Sequence, residues 1–254
     1  MKEILTNIES GVLTISLNRL EKKNSLTAEI FRHLTGLLTD AKSDGAIRVV
    51  VIRGTEQVFS AGNDLGEFVP TSSVNETLPG FDFLNALHAF PKPLIAGVCG
   101  AAIGIGATML LHFDLVFAGD NARFSMPFVN LGLSPEAASS MLLPRLAGYQ
   151  RAAEILLTGT PFDADKALAI GLVNKIFPAS MLLSHVETLA RDLAKKSSTS
   201  LAETKRLMKM GDSADIERRM SDEFEVFRKL LKGGAVQEAI VAFHEKRVPD
   251  LSKF

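Results

Sequence analysis

Glu136, in the run Ser134-Pro135-Glu136, and the glycines Gly100, Gly104 and Gly106 are the residues whose types and spacing could do chemistry together. The glycines punctuate VCGAAIGIGAT, between a buried-strand run at 94–98 and an apolar segment at 107–111. A glycine-spaced turn from strand into helix leaves backbone N–H groups unpaired at the helix N-terminus. Such donors suit a developing negative charge. Ser134, Pro135 and Glu136 read as N-cap, first helical residue and an acid in the first turn. Residues 93–136 could therefore supply both an anion-stabilising backbone and a carboxylate. An acid in a helix's first turn also complements the helix dipole with no chemistry at all, and spacing does not choose between the two.

Other chemistries lack their residues. Neither Ser60 nor Ser134 sits in G-x-S-x-G, and Cys99 lies in an apolar strand, which argues against a nucleophilic triad. His33, His88, His112, His185 and His244 are scattered singly, without metal-ligand spacing, and read as structural or surface residues. GAAIGIG is neither a phosphate-binding P-loop nor G-x-G-x-x-G. No metal is expected. What remains is an oxyanion site with a lone carboxylate.

The elements that must position these groups can be read in order. Residues 2–8 and 11–18 alternate and predict a hairpin. NRLEKKNS at 18–25 reads as a polar, solvated loop, and residues 25–41 carry the apolar stripe of a helix. RVVVIR at 48–53 predicts a short buried strand. It is followed by FSAGNDL at 59–65, whose glycine and asparagine imply unusual backbone angles or a close approach. Residues 66–80 are rich in Thr, Ser, Pro and Gly and read as a mobile surface segment, with a short helix at 81–90. Strands are expected within 114–126, helices at 136–147, 149–157 and 164–170, and a last strand at 172–177. From 181 onward four helical pieces break near 197–200, 211–213 and 233–234.

Composition bounds the class. The 254 residues are 46% hydrophobic and 22% charged, an ordinary globular balance, and the net charge of -1 gives no case for nucleic acid or an anionic membrane. No apolar run reaches membrane-spanning length, and MKEILTNIES lacks a signal-peptide core. Cys99, the single cysteine, fits a reducing compartment. The terminal Ser-Lys-Phe is near a peroxisomal Ser-Lys-Leu address but is not one. The chain reads as cytoplasmic, and its amphipathic C-terminal helices point to an oligomer.

Three stretches taken together carry a resemblance: FSAGNDL (59–65), residues 93–114 and LTGTPFDADKALAIGLVNKIF (157–177). With Asn18-Arg19 and Asn24-Ser25, they resemble the crotonase, or enoyl-CoA hydratase/isomerase, superfamily over residues 10–247. The fold this implies is α/β, a crotonase-like spiral of ββα repeats with a helical C-terminal trimerisation region. Residues 1–195 would be the spiral core and 196–254 the helical subdomain of the same unit. The assembly implied is a homotrimer or a dimer of trimers.

The resemblance implies an acyl-CoA thioester substrate, with coenzyme A entering only as part of it and no separate cofactor. The thioester carbonyl would sit between the backbone N–H groups of Asn63 and Ile105. The backbone of Ala61, Gly62, Asn63, Asp64 and Leu65 would clasp the adenine and pantetheine portions. Lys22 and Lys23 would lie beside the phosphates, with Phe243 and Lys246 closing the adenine side. Family hydratases use two glutamates, whose places here are taken by Thr108 and Phe128. MPFVNLGLSPEAASS (126–140) is similar to the peroxisomal-type 3,2-trans-enoyl-CoA isomerases, which puts Glu136 in the place of their single catalytic base. The activity implied is a shift of a 3-enoyl double bond to the 2-trans position, in fatty acid β-oxidation. Other crotonase-type reactions, hydration included, and a catalytically silent acyl-CoA-binding scaffold are the alternatives.

Overall fold

A computed structural model describes residues 1–66 and 78–254. Most of the run read as a mobile surface segment, 67–77, lies outside the described residues. The predicted hairpin forms from β1 (Ile4–Glu9) and β2 (Val12–Leu17), paired antiparallel with Glu9 opposite Val12. Ser10 and Gly11 between them both have left-handed φ, the twist that a tight two-residue turn demands. Helix α1 (Ala28–Ser43) starts three residues later than its apolar stripe predicts, capped by the Thr27 hydroxyl. Ser25 and Leu26 are not free to join it, because Leu26 bridges to Asn63 and the Ser25 hydroxyl binds Asp64.

Three turns of strand, strand and helix follow. The first is β3 (Val49–Arg53), β4 (Val58–Ser60) and α2 (Pro79–His88). Next come β5 (Leu94–Val98), β6 (Ala101–Ile103) and α3 (Ile105–Thr108). The third comprises β7 (Leu115–Gly119), β8 (Arg123–Ser125) and α4 (Ser139–Ala147). After α5 (Tyr149–Thr158), β9 (Phe162–Asp163), α6 (Ala164–Ala169) and β10 (Lys175–Phe177) the chain is helical. The last helices are α7 (Ala179–Ala194), α8 (Ser198–Lys209), α9 (Ser213–Leu231) and α10 (Gly234–Glu245).

The first strand of each turn joins a six-stranded sheet ordered β1-β2-β3-β5-β7-β10, and the second joins a four-stranded sheet ordered β4-β6-β8-β9. Apart from β1–β2 and β8–β9, all pairs are parallel. This is the ββα spiral. Residues of β3 alternate between two cores: Val50 and Ile52 join the large interior cluster, and Val49 and Val51 pack under α7 with Leu182 and Val186. A strand apolar on both faces is what burial between two layers requires.

Two sequence expectations are corrected. The helix expected from 136 begins at Ser139, because Ala137 (φ 64°) and Ala138 (φ 53°) are left-handed and no α-helix passes through such residues. Ser134 is therefore no N-cap, and its buried hydroxyl has no partner among the described residues. The last strand shrinks to Lys175–Phe177 because the Asn174 side chain takes the place of a backbone acceptor, its Oδ1 accepting from Val116 N at 2.7 Å.

One polar side chain holds the loop at 18–25 to the spiral. Asn24, 1% exposed, accepts from Arg19 N (2.7 Å) and donates to the carbonyls of Val58 (3.3 Å) and Phe59 (3.1 Å). Asn24→Ala would leave Arg19 N without its acceptor and take a donor from the Val58 and Phe59 carbonyls, a loss expected to be about 2–4 kcal/mol in urea unfolding.

Candidate active site

Gly62 and Gly106 allow two turns to touch. A Cβ on Gly62 would lie 2.4 Å from the Ile103 carbonyl oxygen and 3.7 Å from Ile105 N, and Gly62 has a φ of +82°. One on Gly106 would meet the Ser60 carbonyl oxygen at 2.8 Å. The chain closes there only because both side chains are absent. Asn63 and Ile105 thereby come to line the same two cavities, of about 120 and 180 Å³, which Phe227 also lines.

The N–H groups at these positions are spare. Ile105 opens α3, so its N–H has no carbonyl behind it within the helix. The bridge to Leu26 uses Gly62 O and Asp64 N, skipping Asn63 N. Neither N–H is bonded among the described residues. Of the neighbours expected to clasp a ligand, Ala61 N donates to Lys23 O (2.9 Å), Gly62 N to Ser60 Oγ (3.1 Å) and Asp64 N to Leu26 O (3.0 Å). The stretch 61–64 therefore offers a ligand one N–H, that of Asn63.

Glu136 also lines the first cavity and is 2% exposed. Its Oε1 accepts from the Thr108 hydroxyl on α3, and its buried Oε2 has no partner among the described residues. Burial pushes this carboxyl up to about 8. The Thr108 bond pulls against that rise, and the nearby Glu223 carboxylate reinforces it. The turn behind it is costly, since a left-handed alanine loses about 1–2 kcal/mol relative to the right-handed form. External bonds hold it: His112 Nε2 donates to Ala137 O at 2.9 Å, and Ser139 Oγ donates to Glu136 O at 2.5 Å. Complete burial drops His112 to about 3, so a neutral ring makes that bond.

Asp64 also borders the first cavity, but its carboxylate is engaged. Arg19 Nη1 (2.5 Å), Ser25 Oγ (3.0 Å) and Gly66 N (3.0 Å) all donate to it. Burial would raise its pKa, yet the Arg19, Gly66 and Ser25 bonds and the guanidinium charge outweigh that and hold it below the usual carboxylate range.

The structure thus gathers Ala61, Gly62, Asn63, Asp64, Leu65, Ile105 and Glu136 around two joined cavities. Lys22 and Lys23 stand exposed on the adjoining loop. Phe243 and Lys246 are exposed at the end of α10 and line neither cavity. Phe128 closes the second cavity with an apolar ring. Burial takes Cys99 to about 11, which makes it a poor nucleophile. No group of three or more metal-ligating side chains converges among the described residues.

Sequence reasoning placed Thr108 only as the replacement for a hydratase glutamate, and did not assign Glu223, His112 or Phe227 to the site. For Glu223 a signal existed. The apolar stripe of α9 runs Ile216, Met220, Glu223, Phe227, and an acid at a core position of an amphipathic helix calls for a partner.

The match to known proteins fits this geometry. The family model described as enoyl-CoA hydratase/isomerase matches residues 7–253. The 2,3-dehydroadipyl-CoA hydratase of Escherichia coli (strain K12) is 34% identical over 253 residues, 98% of each chain. Enoyl-CoA delta isomerase 2 of Rattus norvegicus is 35% identical over 248 residues, 95% of this chain but 63% of that relative's length. A crystal structure of an enoyl-CoA hydratase/isomerase from Pseudoalteromonas atlantica T6c superposes with a TM-score of 0.93 at 36% identity, covering 98% of this chain and 99% of that one.

The raised Glu136 carboxyl has consequences for stability. The folded chain keeps this proton up to about pH 8, whereas an unfolded chain releases it near 4.5. Its contribution to stability is complete below the lower value and is lost as pH rises through the upper one. Glu136→Gln is expected to gain on the wild type by roughly 2–5 kcal/mol between pH 5 and pH 8.5 in urea unfolding. Thr108→Val removes a bond to the ionised form. Its Glu136 midpoint, followed by carboxyl carbon NMR, should climb by about one further unit, and Thr108→Ser should restore it.

Proposed function

As this chain belongs to the enoyl-CoA hydratase/isomerase family, we propose that it is an enoyl-CoA isomerase shifting a 3-enoyl double bond to the 2-trans position. One observation carries the reading. A single uncommitted carboxylate, Glu136, faces the cavity that Asn63 and Ile105 line with spare N–H groups.

The thioester carbonyl accepts hydrogen bonds from Asn63 N and Ile105 N. Glu136 removes a proton from C2, and the electron pair moves onto the carbonyl oxygen to give a dienolate. The developing charge is matched by two fixed donors, each worth about 2.7–4 kcal/mol of barrier in comparable sites. The same carboxyl returns its proton at C4, and the double bond ends between C2 and C3. One base suffices because C2 and C4 lie on one side of a short carbon chain. A pKa near 8 makes Glu136 a stronger base than a solvated glutamate, and the free Oε2 is the atom available to the substrate.

Hydration needs a second acid/base group to activate water. Thr108 and Phe128 occupy the two positions at which family hydratases carry glutamates. Asp64, the other carboxylate on the first cavity, is tied to Arg19. An apolar wall at Phe128 also keeps water from the dienolate. A hydratase is the second reading, favoured by the name of the Escherichia coli relative.

Coenzyme A would run out past Leu65, with Lys22 and Lys23 near its phosphates. Phe243 and Lys246 serve the adenine end in an assembled homotrimer or dimer of trimers. The exposed Val241, Phe243, Val248 and Phe254 supply apolar area for such an assembly. The physiological setting proposed is the breakdown of unsaturated acyl chains.

The paired test follows 3-hexenoyl-CoA for conjugated product and 2-butenoyl-CoA for loss of conjugation. Fast isomerisation with negligible hydration is expected, rising with pH to a plateau above about 8 as Glu136 ionises. Glu136→Gln should lower kcat by at least about 100-fold. Full isomerase activity in that variant, or fast hydration by the wild type, would overturn the reading.

A further inference from the structure

Helix α4 cannot cap its own start, because its N-cap residue is Ala138, which has no side-chain acceptor. The acceptor comes from elsewhere. Glu223 Oε1, on α9, takes the hydrogen bond of Ser140 N at 2.9 Å. One turn earlier on the same helix, Arg219 Nη1 donates to Ser140 Oγ at 3.1 Å. Glu223 is 6% exposed, and its Oε2 is buried with no partner among the described residues. On the apolar stripe of α9, a hydrophobic residue of similar volume would pack there without the desolvation cost. Packing is therefore a poor reason for a carboxylate at this position.

We propose that Glu223 is a positioning residue for Glu136: by capping the first turn of α4 from α9, it fixes the left-handed turn at Ala137 and Ala138 that aims Glu136 into the cavity. Three further groups complete the grip. His112 holds the Ala137 carbonyl, Ser139 holds the Glu136 carbonyl and Thr108 holds the carboxylate itself. Helix α9 also sends Phe227 to both cavities, so one helix lines the cavities and anchors the base.

The ionisable groups facing this arrangement are few. Glu136 faces Glu223 and the Thr108 hydroxyl, and Glu223 faces Arg219 as well. His112, neutral, has His88, Lys205 and Lys209 behind it. Removing the charge at 223 takes away repulsion on the Glu136 carboxylate, so Glu136 should ionise at lower pH.

The inference rests on Glu136 being the base, and the test separates the two. Glu223→Met and Glu223→Gln are made in the full chain. Amide hydrogen exchange is read over 137–141 beside kinetics on 3-hexenoyl-CoA. Glu223→Met should speed exchange at Ser140 by about tenfold or more and cut kcat at least about tenfold, with KM within about twofold. Glu223→Gln keeps an acceptor for Ser140 N. It should retain slow exchange and kcat within about threefold, with its acid limb moved to lower pH. Unchanged exchange in Glu223→Met, or exchange in Glu223→Gln as fast as in Glu223→Met, overturns the proposal. If the wild type shows no isomerase activity the reading of the site fails, and the exchange measurement still decides the clamp.

Discussion

Taking a carboxylate out of water costs several kcal/mol unless its oxygens are paired, and Glu136 has one oxygen paired and one left open. Much of the site can be understood as the means of tolerating that. The Thr108 hydroxyl supplies the single bond, α4 and α9 exclude solvent, and the open oxygen faces a cavity instead of packed side chains. The same desolvation that destabilises the ionised fold sets the carboxyl near 8, the basicity that the proposed proton transfer calls for. Stability and reactivity are opposite signs of one quantity here.

The ββα spiral explains how the spare donors come to face this carboxylate. Each turn sends its second strand to the small sheet, so the segments that leave β4 and β6 emerge side by side. Asn63 and Ile105 lie just beyond those strand ends. The loop carrying Arg19, Asn24 and Ser25 is sewn onto β4 and the segment after it by backbone, amide and ion-pair contacts, and among the described residues Asn63 N is left without a partner. Asn63 N and Ile105 N are donors that the fold leaves unsatisfied among the described residues.

The helical C-terminal part is more than a cover. Phe227 closes both cavities, and Glu223 reaches back across 83 residues of sequence to Ser140. A carboxyl group on a left-handed turn that its own helix cannot cap depends on groups far away in the chain. Buried Lys205 adds to this coupling, joining α8 to Asp114 and to the Lys92 carbonyl.

The sequence by itself determined the hairpin, the short apolar strands, the breaks between the C-terminal helices and the family. These rest on local periodicity, on turn residues such as Ser10-Gly11, and on motifs such as FSAGNDL, all of which act over a few residues. It also singled out Glu136 and the glycine turn, because an acid and a set of spare N–H groups are visible in residue types. Tertiary structure alone decided how Glu136 is used. Ser134-Pro135-Glu136 has the local signature of a helix start, yet the helix begins at Ser139, because contacts from Thr108, His112 and Glu223 hold two alanines left-handed against their own preference. A left-handed cost of about 1–2 kcal/mol per alanine yields to such bonds acting together. Burial settled the competition over the carboxyl's pKa in the same way: solvent exclusion is a property of everything packed around a residue, and no local stretch encodes it.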